Sequence, residues 1–325
     1  MTAVASETGT PIDPLGGDTS LGARLYARLS SIPTWGLWLL VIVWTFPSFS
    51  LFVNSFRSRA DQRNFGFWEV ARQPDQLTLE NYRTVLAEEG ANNLLDSVIS
   101  SFAIAIPATI IPIAFAAFAA YGFAWIDFKG RNWLFIATVS LMAVPLQVAL
   151  IPLLQTYVGG AHLTVPFTER TLTLLPDLDL NTRGGISVWL THTGFAMPFS
   201  IFLLHNYITE LPKEVFESAR LDGAGHFTMF WRLVLPLSVP ALAAFAIFQF
   251  LWTWNDYLIA LTMLSGGNPV DLPTTVLIAN LAGDFGRNEH LLPAGAFVQA
   301  FFPLLVFFSL QRYFVRGLLA GSVKG

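Results

Sequence analysis

The sequence contains no cysteine and very little charge. Without cysteine there is no disulfide framework, thiolate zinc site, cysteine nucleophile or iron–sulfur cluster, and nothing marks a redox compartment. Only 12% of the 325 residues are charged, against roughly 25% in a typical soluble domain. Hydrophobic residues make up 54%, and the mean hydropathy is +0.55. So little charge cannot cover a soluble surface of this size, which excludes an ordinary cytosolic enzyme, a nucleic-acid binder and a disordered chain. Catalytic signatures are missing too. There is no G-x-x-x-x-G-K-[ST] phosphate loop, so this chain does not itself hydrolyse ATP. There is no H-E-x-x-H, no G-x-S-x-G, no carboxylate pair placed for a cleft, and no basic patch of the nucleic-acid kind. His162 and His290 fall in loops without metal-ligand spacing, and no metal site is expected. A lipid-embedded protein remains.

A spanning helix needs about 20 mostly apolar residues. Six stretches qualify, near 34–56, 93–126, 132–157, 185–208, 236–264 and 291–312. The run that begins at Leu29 is too long for a signal-peptide core and no A-x-A site follows it, so it is expected to stay as the first span. Residues 1–30 are small and polar and are expected to form a flexible cytoplasmic segment ahead of a transmembrane domain over 31–325. Prolines interrupt the second stretch (Pro107, Pro112), the third (Pro145, Pro152), the fourth (Pro198) and the sixth (Pro303). A helix bundle tolerates such kinks where neighbours satisfy the freed carbonyls; packing geometry and hinges both remain as explanations. Six crossings place both termini on one side. The short basic turn 127–131 favours termini inside, but Arg57, Arg59 and Arg63 directly after the first span vote against it.

The far-side segments 57–92, 158–184 and 265–290 are long. The last is rich in Gly, Asn and Asp and reads as a docking loop or a plain connector; 158–184 carries Thr168, Glu169, Arg170, Asp177 and Asp179. On the near side, 209–235 stands out as the one long charged stretch. Pro212 suits a helix first turn. Glu214 and Glu217 lie where the dipole favours acids. Val215, Phe216 and Ala219 share an apolar face, and Gly223 and Gly225 can end the helix in a left-handed turn. A second short helix, about 226–234, is expected to run to Pro236, where the fifth span begins.

Glu217-Ser218-Ala219, then Asp222-Gly223-Ala224, then Leu235-Pro236-Leu237 resembles the "EAA" signature of permease subunits of bacterial ABC importers. The departure is Ser218, where the signature has its first alanine. Further stretches resemble the sugar-importer branch: Thr78-Leu79-Glu80-Asn81-Tyr82, Phe128-Lys129-Gly130-Arg131-Asn132 and Trp254-Asn255-Asp256-Tyr257. The C-terminal Gln311-Arg312-Tyr313-Phe314-Val315-Arg316-Gly317 is similar to the maltose-permease type. Val188-Trp189-Leu190-Thr191-His192-Thr193-Gly194-Phe195 and the run from Phe248 to Asp256 look most like α-glucoside permeases.

The resemblance implies an all-α, six-span type I importer permease in the cytoplasmic membrane with both termini cytoplasmic. It implies a second permease as heterodimer partner, two ATPase subunits that hold ATP and Mg, and an extracytoplasmic sugar-binding protein, with no cofactor on this chain. The coupling helix would dock on the ATPase through Glu214, Glu217, Ser218, Ala219, Asp222, Gly223, Ala224, Phe227 and Pro236, and the tail through Arg316, Gly321, Lys324 and Gly325. Trp252, Trp254, Asn255 and Asp256 are candidates for the sugar path, against a helix-packing hydrogen bond for Asn255 and Asp256. The cargo expected is an α-glucoside; glucosylglycerol, another oligosaccharide or a polyol is the alternative. His192 and His205 lie on the fourth span and leave a proton-coupled transporter as a rival, although that leaves 209–235 without a purpose. Asp96, at the start of the second span, reads as a cap or interface residue.

Overall fold

The computed structural model describes residues 33–87, 93–164, 171–178, 185–264, 272–283 and 288–320, with side chains to 312. The described elements are α1 (Thr34–Ser55), α2 (Arg59–Asn64), α3 (Glu80–Ala87), α4 (Leu94–Trp125), α5 (Arg131–Ser140), α6 (Leu146–Gly159), β1 (Ala161–Thr164), β2 (Thr171–Leu175), α7 (Ile186–Thr209), α8 (Lys213–Leu221), α9 (His226–Trp254), α10 (Leu258–Leu264), α11 (Thr274–Gly283) and α12 (Leu292–Ala320). The architecture is all-α apart from one small antiparallel hairpin, β1–β2. Two units divide the chain, Met1–Leu51 and Phe52–Gly325. The first carries most of α1, which passes Pro47 unbroken; the Ser50 hydroxyl bonds the Pro47 carbonyl at 2.8 Å.

Five described helices are long and apolar enough to span: α1, α4, α7, α9 and the helix from Glu289 to Arg312. The third stretch is sharply bent, with Arg131–Ala143 and Leu146–Gly159 meeting at 101°, the shape of a broken span or a re-entrant loop. Val144, ahead of Pro145, is extended at φ −74°, ψ 116°, as the proline ring requires of its predecessor. The remaining prolines do not break their helices. Pro107 and Pro112 lie within α4, Pro152 within α6, Pro198 within α7 and Pro303 within α12. The fifth stretch does break, at residues 255–257 between α9 and α10, where no proline stands.

α4 packs along α7, and α9 packs on both α4 and α12. The inward face of α4 is rich in small or weakly polar side chains: Ser97, Ser101, Ala105, Ala108, Ala116 and Ala120 are buried beside the larger Val98, Ile104 and Tyr121, while Ile99, Ile106, Ile110 and Phe115 are exposed. This is the pattern of helices in lipid, where bulky chains face hydrocarbon and small ones allow close backbone approach.

The far-side segments are structured rather than plain connectors. Residues 57–87 fold around Arg57, which is fully buried. Within 265–290, α11 buries Val276, Leu277 and Leu281. In 158–184, β1 and β2 pair, and His162 bridges Gly159 O (3.1 Å) and Thr173 Oγ1 (3.2 Å). Thr168, Glu169, Arg170 and Asp179 lie outside the described residues, as do residues 1–30.

Candidate functional site

Pro212 stands at the N-cap of α8 rather than inside its first turn, with Glu214 in the first turn and Arg220 in the last, each matching the dipole. A single side chain fixes the rotation of this helix. Phe216 is 1% exposed and stacks on Trp125 with centroids 4.0 Å apart and planes at 18°. The Trp125 indole in turn donates to Ile208 O at 3.4 Å. Phe216 belongs to a core with Tyr121, Leu204, Ile208, Met229 and Phe230, so it inserts between α4, α7 and the start of α9. The expected apolar face is narrower than the sequence suggests: Ala219 is half-buried and Val215 is exposed.

With Phe216 inward, Glu214, Glu217 and Ser218 are exposed together. Ser218 Oγ donates to Glu214 O at 2.9 Å, so the departure from alanine is absorbed within the helix and does not disturb its outer face. The helix closes in a Schellman motif. Ala224 N–H bonds Ala219 O (2.9 Å), Gly223 N–H bonds Arg220 O (3.0 Å), and Gly223 sits at φ +82°. Gly225 is extended at φ −76°, so Gly223 alone makes the left-handed turn. Nothing lies within 4 Å of a Cβ added at Gly223, so Gly223→Val should act by backbone strain alone. A β-branched residue there is expected to cost about 1–2 kcal/mol, read as a lowered unfolding temperature, with Gly223→Asn nearly neutral.

After the turn, α9 runs without interruption from His226 into the fifth span, so the expected short helix and the span are one element. His226 Nδ1 lies 2.9 Å from the Tyr121 hydroxyl, and Phe230 stacks on Phe118 at 4.3 Å. Residues Phe230–Val234 form a π turn in which Leu235 N–H bonds Phe230 O, five residues back. Pro236 follows; its ring crowds the Arg232 carbonyl four residues earlier, which favours the wider turn. Pro236 is therefore a shape element of α9, not part of α8.

Two large apolar side chains stand out among these charges: Leu221 is 89% exposed and Phe227 74%. Phe227 was expected at the contact; Leu221 was missed. Its signal was an unpaired leucine next to the charged pair Arg220 and Asp222. Exposed apolar groups ringed by charge at the end of a bundle are what a docking surface requires. Ala224 is half-buried beneath them. Side chains of the tail lie outside the described residues, including Arg316 on α12, and Gly321, Lys324 and Gly325 lie outside them altogether.

The four path candidates separate. Trp254 is 1% exposed, packs against Phe102, Phe250 and Phe302, and donates to Gln299 O at 3.1 Å; it offers no ring face to a sugar. Trp252 and Asn255 are exposed. Asn255 Nδ2 donates to Leu251 O at 2.8 Å, a packing bond of the anticipated kind. Asp256 is nearly buried. Its Oδ2 accepts Ala260 N–H at 3.1 Å and so caps α10, and its carbonyl accepts the Thr275 hydroxyl at 2.8 Å. The structure also brings His192 to Asp256, with Nε2 3.7 Å from Oδ2, a pairing that sequence reasoning did not make. His205 lies elsewhere, against Phe135 at 4.4 Å. Asp96 lies in the first turn of α4, whose cap is Asn93.

Comparisons with known proteins agree with this architecture. Residues 112–320 match the family model described as binding-protein-dependent transport system inner membrane component. The osmoprotective compounds uptake permease GgtD of Synechocystis is 47% identical over 288 residues, covering 88% of this chain and 89% of that protein. The α-glucoside transport system permease AglG of Rhizobium meliloti is 47% identical over 278 residues, covering 84% and 68%. Among solved structures, a bacterial ABC transporter that imports alginate aligns with TM-score 0.66 over 91% of this chain and 98% of the other at 18% identity, a likeness of fold.

Proposed function

This chain belongs to the family of binding-protein-dependent transport system inner-membrane components, and we propose from that membership that it is one of two unlike permease subunits of an ABC sugar importer, driven by two ATPase subunits that bind ATP and Mg. The observation that carries the proposal is α8: a helix anchored in the bundle by Phe216 and presenting Glu214, Glu217, Ser218 and Leu221 outward, with Phe227 exposed at the start of α9. Such a helix transmits force in both directions. A partner that grips its outer face moves Phe216, and Phe216 is wedged between α4, α7 and α9. Closure of the ATPases on ATP would therefore rock the bundle as a rigid body from inward- to outward-facing.

The cargo proposed is an α-glucoside. AglG supports it by its stated substrate class; GgtD, at the same identity, is named for osmoprotective compounds and favours an osmoprotective solute as the alternative. Both termini are cytoplasmic in this proposal. The buried Arg57 supports that orientation, because a guanidinium held inside a fold is not a free loop charge. The far-side segments with the β-hairpin and α11 then face the binding protein.

The test is a pull-down of tagged wild type beside Glu217→Lys in mild detergent, followed by ATPase assay and mass analysis. Wild type is expected to bring down an ATPase and a second permease, and the reversal to lose the ATPase. A wild type that purifies alone, or a reversal that keeps a full active complex, overturns the role of α8.

A further inference from the structure

Sequence distance and burial set one side-chain pair apart from the coupling surface. His192, on α7, is fully buried, and neither ring nitrogen has a hydrogen-bond partner among the described residues. The polar group facing it is the Asp256 carboxylate, 3.7 Å from Nε2, with side chains 0% and 11% exposed. At 3.7 Å the imidazole edge and the carboxylate face each other at more than hydrogen-bond distance. Trp252 closes over the imidazole edge-on, with centroids 5.2 Å apart at 84°. The void beside the pair is about 10 Å³ and is bordered by Ser101, Thr253 and Ala260, room for a single water at most. A sugar ring does not fit in that void in this conformation.

Position gives the pair its meaning. Asp256 sits in the break at 255–257, where α9 ends and α10 begins. A break between two helices at the end of a span has no intrinsic angle; something must hold it. Asp256 holds it from three sides: to α10 through Ala260 N–H, to α11 through Thr275, and to α7 through His192. The first two bonds do not need a charge, since a neutral amide oxygen and a backbone carbonyl accept equally well. Only the third needs the carboxylate. The residues exposed at the break include Trp252 and Asn255 on its α9 side and Tyr257 and Leu258 on its α10 side.

We infer that His192 and Asp256 are a positioning pair, whose contact fixes the break between α9 and α10 against α7 and thereby sets where the exposed Trp252 and Asn255 stand. This rests on the permease function proposed above. The pair touches no cargo and acts through its neighbours.

The test uses the complete complex with its binding protein in proteoliposomes. Asp256→Asn keeps the cap on Ala260 and removes only the charge; His192→Gln removes the other partner. Each single variant is expected to raise the half-saturating concentration for uptake about tenfold, with ATP hydrolysis per complex within about twofold of wild type. The double variant, in which no lone buried charge or imidazole is left, is expected to recover most of the loss, and Asp256→Glu most of it as well. Unchanged half-saturation in both single variants, or losses that simply add in the double, overturns the pairing. If a single variant fails to assemble, assembly of the double supports the pair and its failure overturns it. If wild type shows no ATP-driven uptake, the transport function itself falls. The pair is then judged by whether the two substitutions are non-additive in the unfolding temperature of the purified chain.

Discussion

Truncating Phe216 to alanine is expected to free α8 from the bundle while leaving its docking face chemically intact. Phe216 is 1% exposed and stacked on Trp125. Emptying such a site costs about 3–5 kcal/mol, from lost transfer energy and the cavity left behind. α8 has nine residues, too few to hold a helix in water alone, and no other fully buried side chain in it shares the load. The loss therefore falls on this segment. Amide hydrogens over 213–224 are expected to exchange about 10²- to 10⁴-fold faster, as a local opening of that free energy requires. Exchange in the middle of α4 is expected to stay unchanged. Phe216→Leu keeps most of the buried volume and is expected to cost about 1–2 kcal/mol. In the assembled complex Phe216→Ala should continue to hydrolyse ATP while uptake falls, because the outer grip remains and the inner wedge is gone. Unchanged exchange over 213–224 would mean that α8 is held by something other than this wedge.

The contrast with Glu217→Lys shows what the two faces of α8 do. Glu217 is exposed, and its reversal should disrupt the partner's grip without loosening the helix. Phe216 should do the opposite. Both faces were legible in the sequence because a surface helix writes its orientation in its spacing, and Gly223 announced its left-handed turn. Leu221 was not legible, since an apolar residue on a charged face reads as noise until its exposure is known. The spans were legible for a cruder reason: 20 apolar residues have few other places to go. Their breaks were not. Pro145 breaks its stretch while Pro107, Pro112, Pro198 and Pro303 do not, because neighbouring helices decide whether a lost hydrogen bond becomes a bend. The break at 255–257 has no proline. It is held by Asp256, whose partners Thr275 and His192 lie 19 and 64 positions away. No local pattern reports such contacts. The same holds for α11, whose buried Val276, Leu277 and Leu281 lie in a stretch that Gly, Asn and Asp made look like a loop.

Arg57 gives the second large effect, and it turns an apparent anomaly of charge into a structural requirement. Its guanidinium is fully buried. Nε and one terminal nitrogen both donate to Gln76 Oε1, at 3.1 and 2.9 Å. The other terminal nitrogen donates to Asn54 Oδ1 at 2.9 Å, and further bonds reach Asp61 O (2.9 Å) and Phe65 O (3.3 Å). Four acceptors from three elements thus meet on one side chain, and the Arg57 backbone bridges Leu77. Burial pushes the guanidinium pKa down from its ordinary value, and the charges of Asp61 and Glu69 oppose that shift; the group stays charged at any pH near neutrality. Arg57→Met keeps the length of the stem and removes every donor. It leaves Gln76 Oε1 buried without a partner and strips Asn54 Oδ1 and Phe65 O of theirs, while Asp61 O keeps the Phe65 N–H bond, at a cost of about 3–5 kcal/mol. Arg57→Lys is expected to rescue little, because an ammonium cannot reproduce the planar fork that serves Gln76 and Asn54 together. Both variants should be cut by protease within 57–87 at concentrations that leave wild type intact, with a clear fall in unfolding temperature. If Arg57→Lys resists protease as wild type does, charge alone is what the fold needs there. If Arg57→Met does too, the segment is held by Asn81, whose Nδ2 donates to Ser55 O (3.0 Å) and Arg57 O (2.8 Å), and not by the guanidinium.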